Sequence, residues 1–257
     1  MENEKLKGSD IKVEGRFSRW LENYWYHYKW PTIIVSFFVI VVLVCTIQMC
    51  TKETEDTSVV YAGPVQLSSG EMSAIESVMN FIMPEDFDGN GKKTLVFLNY
   101  HVYSENQIKG MESEREEQIE DYVENKDSYT VPSEAPAQIN RQYNTTNYKN
   151  FIQYIQTGET SICFLDASVY EELLGDGRIM KLSDVLGYES EASADGYGIK
   201  LSELGIYETY AAVRKLPADT VVCILKPLVA GRNSKAEMYQ RDKDMLRAIV
   251  EFKGDEN

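Results

Sequence analysis

The stretch SICFLDASVYEELLG, residues 161–175, decides the fold. Ser161-Ile162-Cys163-Phe164-Leu165 is a short unbroken apolar run, the pattern of a strand covered on both faces, as in parallel sheets. After Asp166 the period changes. Ser168 and Glu171 have the spacing of a helix start, Val169, Leu173 and Leu174 share one face, and Gly175 stops the turn. A strand handing directly to a helix predicts an α/β layer.

The same alternation spreads outward. Upstream, Tyr148, Phe151, Ile152 and Ile155 follow helical spacing and predict a helix ending near Thr157-Gly158. Earlier still, Ser68-Ser69-Gly70-Glu71 is a capping box. It opens a helix with Met72, Ile75, Met79 and Ile82 on one stripe, closed by Pro84. DFDGNGKK then reads as a tight turn, and TLVFLNYHVY, from Thr94, as a strand. Residues 104–127 form a charged surface helix docked by Met111, Ile119, Tyr122 and Val123, its charge run a solvated face. Residues 128–138 hold a short edge strand and a loop. Downstream, residues 178–182 are extended and TVVCIL, 220–225, is a second buried strand. Residues 234–252 close the chain as a helix with Met238, Met245, Ile249 and Phe252 inward. The fold class is therefore α/β, one mostly parallel sandwich domain over residues 68–257.

Ahead of this domain lies TIIVSFFVIVVLVCTIQMC, residues 32–50, with no charged side chain. At about 1.5 Å per residue it spans roughly 28 Å, close to a bilayer's hydrocarbon core. Pro31 suits the first helical turn. Lys12, Arg16, Arg19 and Lys29 precede the run, and Lys52 alone follows it before Gly70. The positive-inside rule then makes residues 1–31 a cytoplasmic juxtamembrane segment, 32–50 a single transmembrane helix, and 51–67 a stalk. Phe17, Trp20, Tyr24 and Tyr28 recur at helical spacing, as an aromatic belt at the inner interface does. No small-x-small cleavage site follows the run, and Val44 and Met49 precede Cys45 and Cys50 where lipoprotein processing needs a small residue. The segment is read as an uncleaved anchor.

The 257 residues carry 26 Lys+Arg against 41 Asp+Glu, a net charge of −15. That balance excludes nucleic acid as a partner, since neutralising phosphates requires clustered basic side chains. Two His and four Cys exclude His-rich metal sites and a disulfide scaffold. His101 is the one His beyond the apolar run, placed near a strand end; no Gly-x-Ser-x-Gly or HExxH motif accompanies it. Asp86-x-Asp88-x-Asn90-Gly91 matches the first half of a calcium loop, but Phe97 stands where a bidentate Glu belongs and Lys92 and Lys93 add adverse charge. The alternative is an Asp/Asn/Gly turn. GNGKKT, 89–94, lacks the first Gly of a phosphate loop and precedes a strand instead of following one. Cys163 and Cys223, both in buried strands, are open to either pairing or free thiols. Tyr100, Tyr143, Tyr148 and other tyrosines suit sugar stacking or partner contacts, but most are read as residues at the rim of the core with wet hydroxyls. No catalytic residue, metal ligand, cofactor or ligand-binding residue is assigned.

The order strand, charged helix, loop, helix, TSICFLD, helix, GRIMKLSDVLG over residues 94–187 resembles the first lobe of extracellular solute-binding proteins. The resemblance rests on the strand 161–165 ending in Asp166, the helix 167–174, and the segment 179–182 feeding a short helix at 183–186. YGIKLSELGIYETYAAVRKLPADTVVCILKP, 197–227, with the final helix, is similar to small membrane-anchored relatives of that family in Gram-positive bacteria. The resemblance implies a single-lobe, membrane-anchored extracytoplasmic module, non-enzymatic and accessory to a transport system. The alternative is an interaction or structural subunit of a cell-envelope complex, held to a membrane protein partner without binding a small molecule.

Overall fold

The computed structural model describes residues 15–50, 55–124, 140–227 and 233–254, and the chain divides into two compact units after Glu53. The strand and loop predicted at 128–138 lie outside the described residues.

The first unit is α1 (Arg16–Cys50). Its stretch Asn23–Ile47 is long and apolar enough to cross a membrane and is not buried within the protein. The sequence places the helix start at Pro31; α1 instead begins at Arg16 and runs through the proline. A proline removes one backbone bond, and one side-chain bond crosses its position. The rings of Trp20 and Tyr24 stack at 5.7 Å, those of Tyr24 and Tyr28 at 5.4 Å, and the Tyr24 and Thr32 hydroxyls share a 2.9 Å hydrogen bond across position 31.

The second unit is a five-stranded sheet between helices. Its strands are β1 (Thr57–Gly63), β2 (Leu95–His101), β3 (Ile162–Leu165), β4 (Gly198–Lys200) and β5 (Val221–Ile224), in the order β2-β1-β3-β5-β4. The predicted stalk gives way at Thr57 to β1, in which every residue is buried. The reason is that Val59-Val60-Tyr61-Ala62 is the same kind of unbroken run as Ile162–Leu165: a strand flanked by strands and covered by helices has no solvent face. β1 pairs parallel with β2 and β3, Val59 standing beside Phe97 and Ile162. β5 runs antiparallel to both β3 and β4. The sheet is thus mixed, where the sequence predicts a mostly parallel one. Between β4 and β5 lie the short helix α7 (Gly205–Thr209) and two 3₁₀ turns, with no long crossover helix to carry the chain to the opposite edge.

Alternate residues of each strand face two cores. On one side Tyr61, Phe97, Phe164 and Val222 pack with Ile75 and Met79 of α2 (Ser69–Ile82) and with Met245, Leu246 and Ile249 of α8 (Asn233–Glu251). On the other, Val60, Cys163, Leu165 and Cys223 meet Phe151 and Ile155 of α4 (Arg141–Thr157) and Val169 and Leu173 of α5 (Ala167–Gly175). α2 opens with the predicted capping box, Ser68 and Glu71 exchanging bonds. α4 ends at Gly158 in the left-handed region, φ 69°. α5 is capped by Asp166 rather than Ser168, because the Asp166 carboxylate reaches the Ser168 amide. The short helix α6 (Ser183–Leu186) forms as predicted; of the segment before it, Ile179 makes a single bridge to Leu225, while Leu182 is already helical, so the predicted extended piece stops short of 182. In α3 (Glu105–Glu124) Ile108 is buried, the predicted Met111 is half-buried and Ile119 is exposed; the side chains of Tyr122 and Val123 lie outside the described residues.

β2 is an edge strand, and α2 covers that edge. Asn80 Oδ1 accepts from the Leu95 amide at 2.7 Å and Glu76 Oε1 from the Phe97 amide at 3.0 Å. Four residues of helix rise about 6 Å and two residues of strand about 6.6 Å, so side chains one helical turn apart match alternate amides.

Candidate functional site

In an open α/β sheet, loops gather at the carboxyl ends of the parallel strands, and ligands bind where neighbouring connections leave for opposite faces. β1 and β3 are such neighbours: β1 leads to α2 on one face and β3 to α5 on the other. Side chains at this edge hold the loops in place. A Cβ at Gly63 would lie 2.4 Å from the Tyr61 hydroxyl oxygen, so the chain passes directly over that ring. The hydroxyl accepts from the Val65 amide at 3.3 Å, and burial holds the phenol far above its ordinary range, in the neutral form. Asp166 Oδ1 takes the Ser168 amide at 3.1 Å and the Ser168 hydroxyl; Oδ2 takes Gln107 Nε2 at 3.1 Å. Gln107 itself closes a capping box with Ser104, at 2.8 and 3.1 Å. The starts of α3 and α5 are thereby tied together.

At the carboxyl end of β2 opens a cavity of 320 Å³, lined by Gln66, Leu67, Met72, Asn99, Tyr100, His101, Tyr143 and Asn147. Asn99 Nδ2 donates to the Val65 carbonyl at 3.1 Å and Asn147 Nδ2 to the His101 carbonyl at 3.0 Å, which fixes both side chains and leaves their amide oxygens as acceptors. His101 Nε2 and the Tyr103 hydroxyl lie 3.1 Å apart, their rings edge to face. Tyr143 is 51% exposed. Among the described residues the lining has amides, one imidazole and aromatic rings, with no carboxylate, ammonium or guanidinium. That chemistry suits a neutral, hydroxyl- or amide-bearing solute.

His101 lies at the end of β2, where the sequence places it. Asn99 and Asn147 were not singled out from sequence; the available signal is an Asn within an otherwise apolar strand.

The Asp86-Asp88-Asn90 turn gains a third carboxylate. Oxygens of Asp56, Asp86 and Asp88 lie within 4.8 Å of one another, a set able to hold a divalent cation, and Asp56 is 3% exposed. Each of the six oxygens also accepts an N–H bond. Asp56 takes the amides of Asp88 and Thr94 at 2.9 and 2.8 Å, Asp86 those of Gly89 and Gly91 at 2.8 and 2.6 Å, and Asp88 the Asn90 amide and side chain at 2.9 and 2.8 Å. The turn is therefore internally satisfied, as an Asp/Asn/Gly turn is. Lys93 is drawn off to the Met83 carbonyl at 2.6 Å.

Cys163 and Cys223 stand directly opposite across the antiparallel β3–β5 pair, fully buried and unbridged. Burial pushes both thiols up, which suppresses the reactive thiolate.

Comparison of the chain with protein-family models, with curated proteins and with solved structures finds no match.

Proposed function

We propose that the chain is a single-pass membrane protein that holds a non-enzymatic, solute-binding-like α/β module at the outer face of the membrane, accessory to a transport system. The apolar stretch Asn23–Ile47 supports the anchor, and the basic residues before it support a cytoplasmic N-terminus. The observation that carries the reading is the cavity at the carboxyl end of β2, whose described lining residues include no carboxylate, ammonium or guanidinium. Full-length protein in detergent, melted against neutral sugars, short peptides and divalent ions, tests it. Stabilisation by a neutral polar solute, lost in Asn147→Ala and Tyr143→Ala, is the expected result. No stabilisation by any of them sinks the binding reading. Protease applied to intact cells checks the orientation by removing the C-terminal domain.

A second reading, an interaction subunit without a small ligand, draws on α3, whose Ile119 is 52% exposed on a strongly acidic helix. Copurification with a membrane protein partner, lost on Ile119→Asp, separates it from the first.

A further inference from the structure

We propose that a second cavity, at the amino edge of the sheet, binds a small organic ammonium ion, with Asp242 of α8 as its counter-charge. This inference does not depend on the solute-binding reading. The cavity measures 220 Å³ and includes Ile155, Leu225, Pro227, Tyr239 and Asp242 in its lining.

Asp242 is 5% exposed. Oδ1 accepts from the Thr57 hydroxyl at 2.6 Å; Oδ2 accepts from the Ser161 amide at 2.9 Å and from the Ser161 hydroxyl. These are dipoles. Among the described residues no cationic side chain pairs with the carboxylate, and Arg241, its chain neighbour, exerts only the weakest of the influences on it. Two lysines nearby are directed elsewhere. Lys226, in the same lining, donates to the Gly177 carbonyl at 2.8 Å, and Lys243 lies over the Tyr239 ring at 5.4 Å. A carboxylate this deep is ordinarily paired or neutralised, because burial without a counter-charge costs several kcal/mol. Here burial raises its proton affinity, which marks the same deficit.

The rest of the cavity selects the form of the counter-charge. Ile155, Leu225 and Pro227 give an apolar wall, and the Tyr239 ring is anchored by a hydroxyl bond to Met180 Sδ at 2.8 Å. Of the other polar side chains in the lining, Thr160 donates to the Ser58 carbonyl at 2.7 Å, and Ser161 and Lys226 are engaged as above, so one carboxylate beside this apolar wall suits an alkylammonium: a single positive charge on a short hydrocarbon. An anion meets Asp242, and a neutral alkyl chain leaves it uncompensated. A hard divalent ion requires several oxygen ligands, and Asp242 is the one carboxylate among the described residues that line this cavity.

The test melts full-length protein in detergent with butylammonium chloride against equal concentrations of butanol, sodium butyrate and sodium chloride. The expected result is a saturable rise in melting temperature with butylammonium alone. Asp242→Asn lowers the apparent affinity by at least about tenfold, as loss of a buried charge partner does. Ala236→Phe, which narrows the cavity without altering Asp242, removes the response too and serves if the Asn variant does not fold. Equal stabilisation by butanol, an undiminished response in Ala236→Phe or Asp242→Asn, or no response in the native chain overturns the proposal.

Discussion

Replacing Asp56 with Ala tests whether a buried carboxylate beside two others holds the fold together or strains it. The side chain accepts two backbone amides, Asp88 at 2.9 Å and Thr94 at 2.8 Å, and so ties the turn to the start of β2. A hydrogen bond to a charged acceptor contributes about 1.5–3 kcal/mol, so the pair is worth about 3–6 kcal/mol. Opposing this is repulsion from Asp86 and Asp88, whose oxygens lie within 4.8 Å. At that range a unit pair repels by about 3 kcal/mol at an effective dielectric near 20, and by about 1 kcal/mol once water and salt reach its partly exposed members. With about 1 kcal/mol for each of the two neighbours, the balance leaves Asp56→Ala less stable by about 1–4 kcal/mol, and a domain of this size then melts several degrees lower. Asp56→Asn keeps one acceptor oxygen and removes the repulsion, so it loses about half as much. The assay is urea denaturation of full-length protein in detergent, followed by tyrosine circular dichroism. Tryptophan fluorescence is blind to this unit, because Trp20, Trp25 and Trp30 all lie in α1. An Ala variant as stable as the native chain, or more so, refutes the reasoning and shows that repulsion outweighs the two bonds.

Three further outcomes follow from the same structure. Phe151→Ala empties a fully buried site between α4 and the sheet and costs about 3–5 kcal/mol by urea denaturation, with little change in m. Gly63→Ala drives a methyl group into the Tyr61 hydroxyl and destabilises by about 1–3 kcal/mol, whereas the double variant with Tyr61→Phe recovers part of that loss in a mutant cycle. Burial raises the Asp242 carboxyl in the folded chain, so the native state holds its proton to higher pH than the unfolded one; relative to Asp242→Asn, stability is greatest at acid pH and falls as pH rises through the folded value, read from paired denaturation series.

The sequence pattern reached the elements whose local signal matches their final surroundings. Residues 161–175 show a doubly covered strand followed by a helix, and both form; the Ser68–Glu71 box and the Phe151–Ile155 stripe likewise point to the faces that become buried. β1 was harder, because Val59–Ala62 sits between a polar run and a Gly-Pro turn, and its burial is created by partners distant in the chain, β2 and β3. β4 is three residues long and has no period to detect. The reversal of β5 depends on which edge its connection returns to, a property absent from the apolar run itself. The cavity at the carboxyl edge was illegible for a related reason. Asn99 and Asn147 meet only because α4 packs beside β2, and nothing local to either residue announces the other. Asp56 joins Asp86 and Asp88 through the β1–β2 pairing in the same way.

The side chains of Asn80 and Glu76 along β2 have a consequence for assembly. They occupy amides that a free edge would offer to a strand from another molecule. At the other end of the sheet, β4 is too short to template one. Strand donation is therefore hindered at the first half of β2 and at the short β4, which favours docking on the helices or loops of this domain.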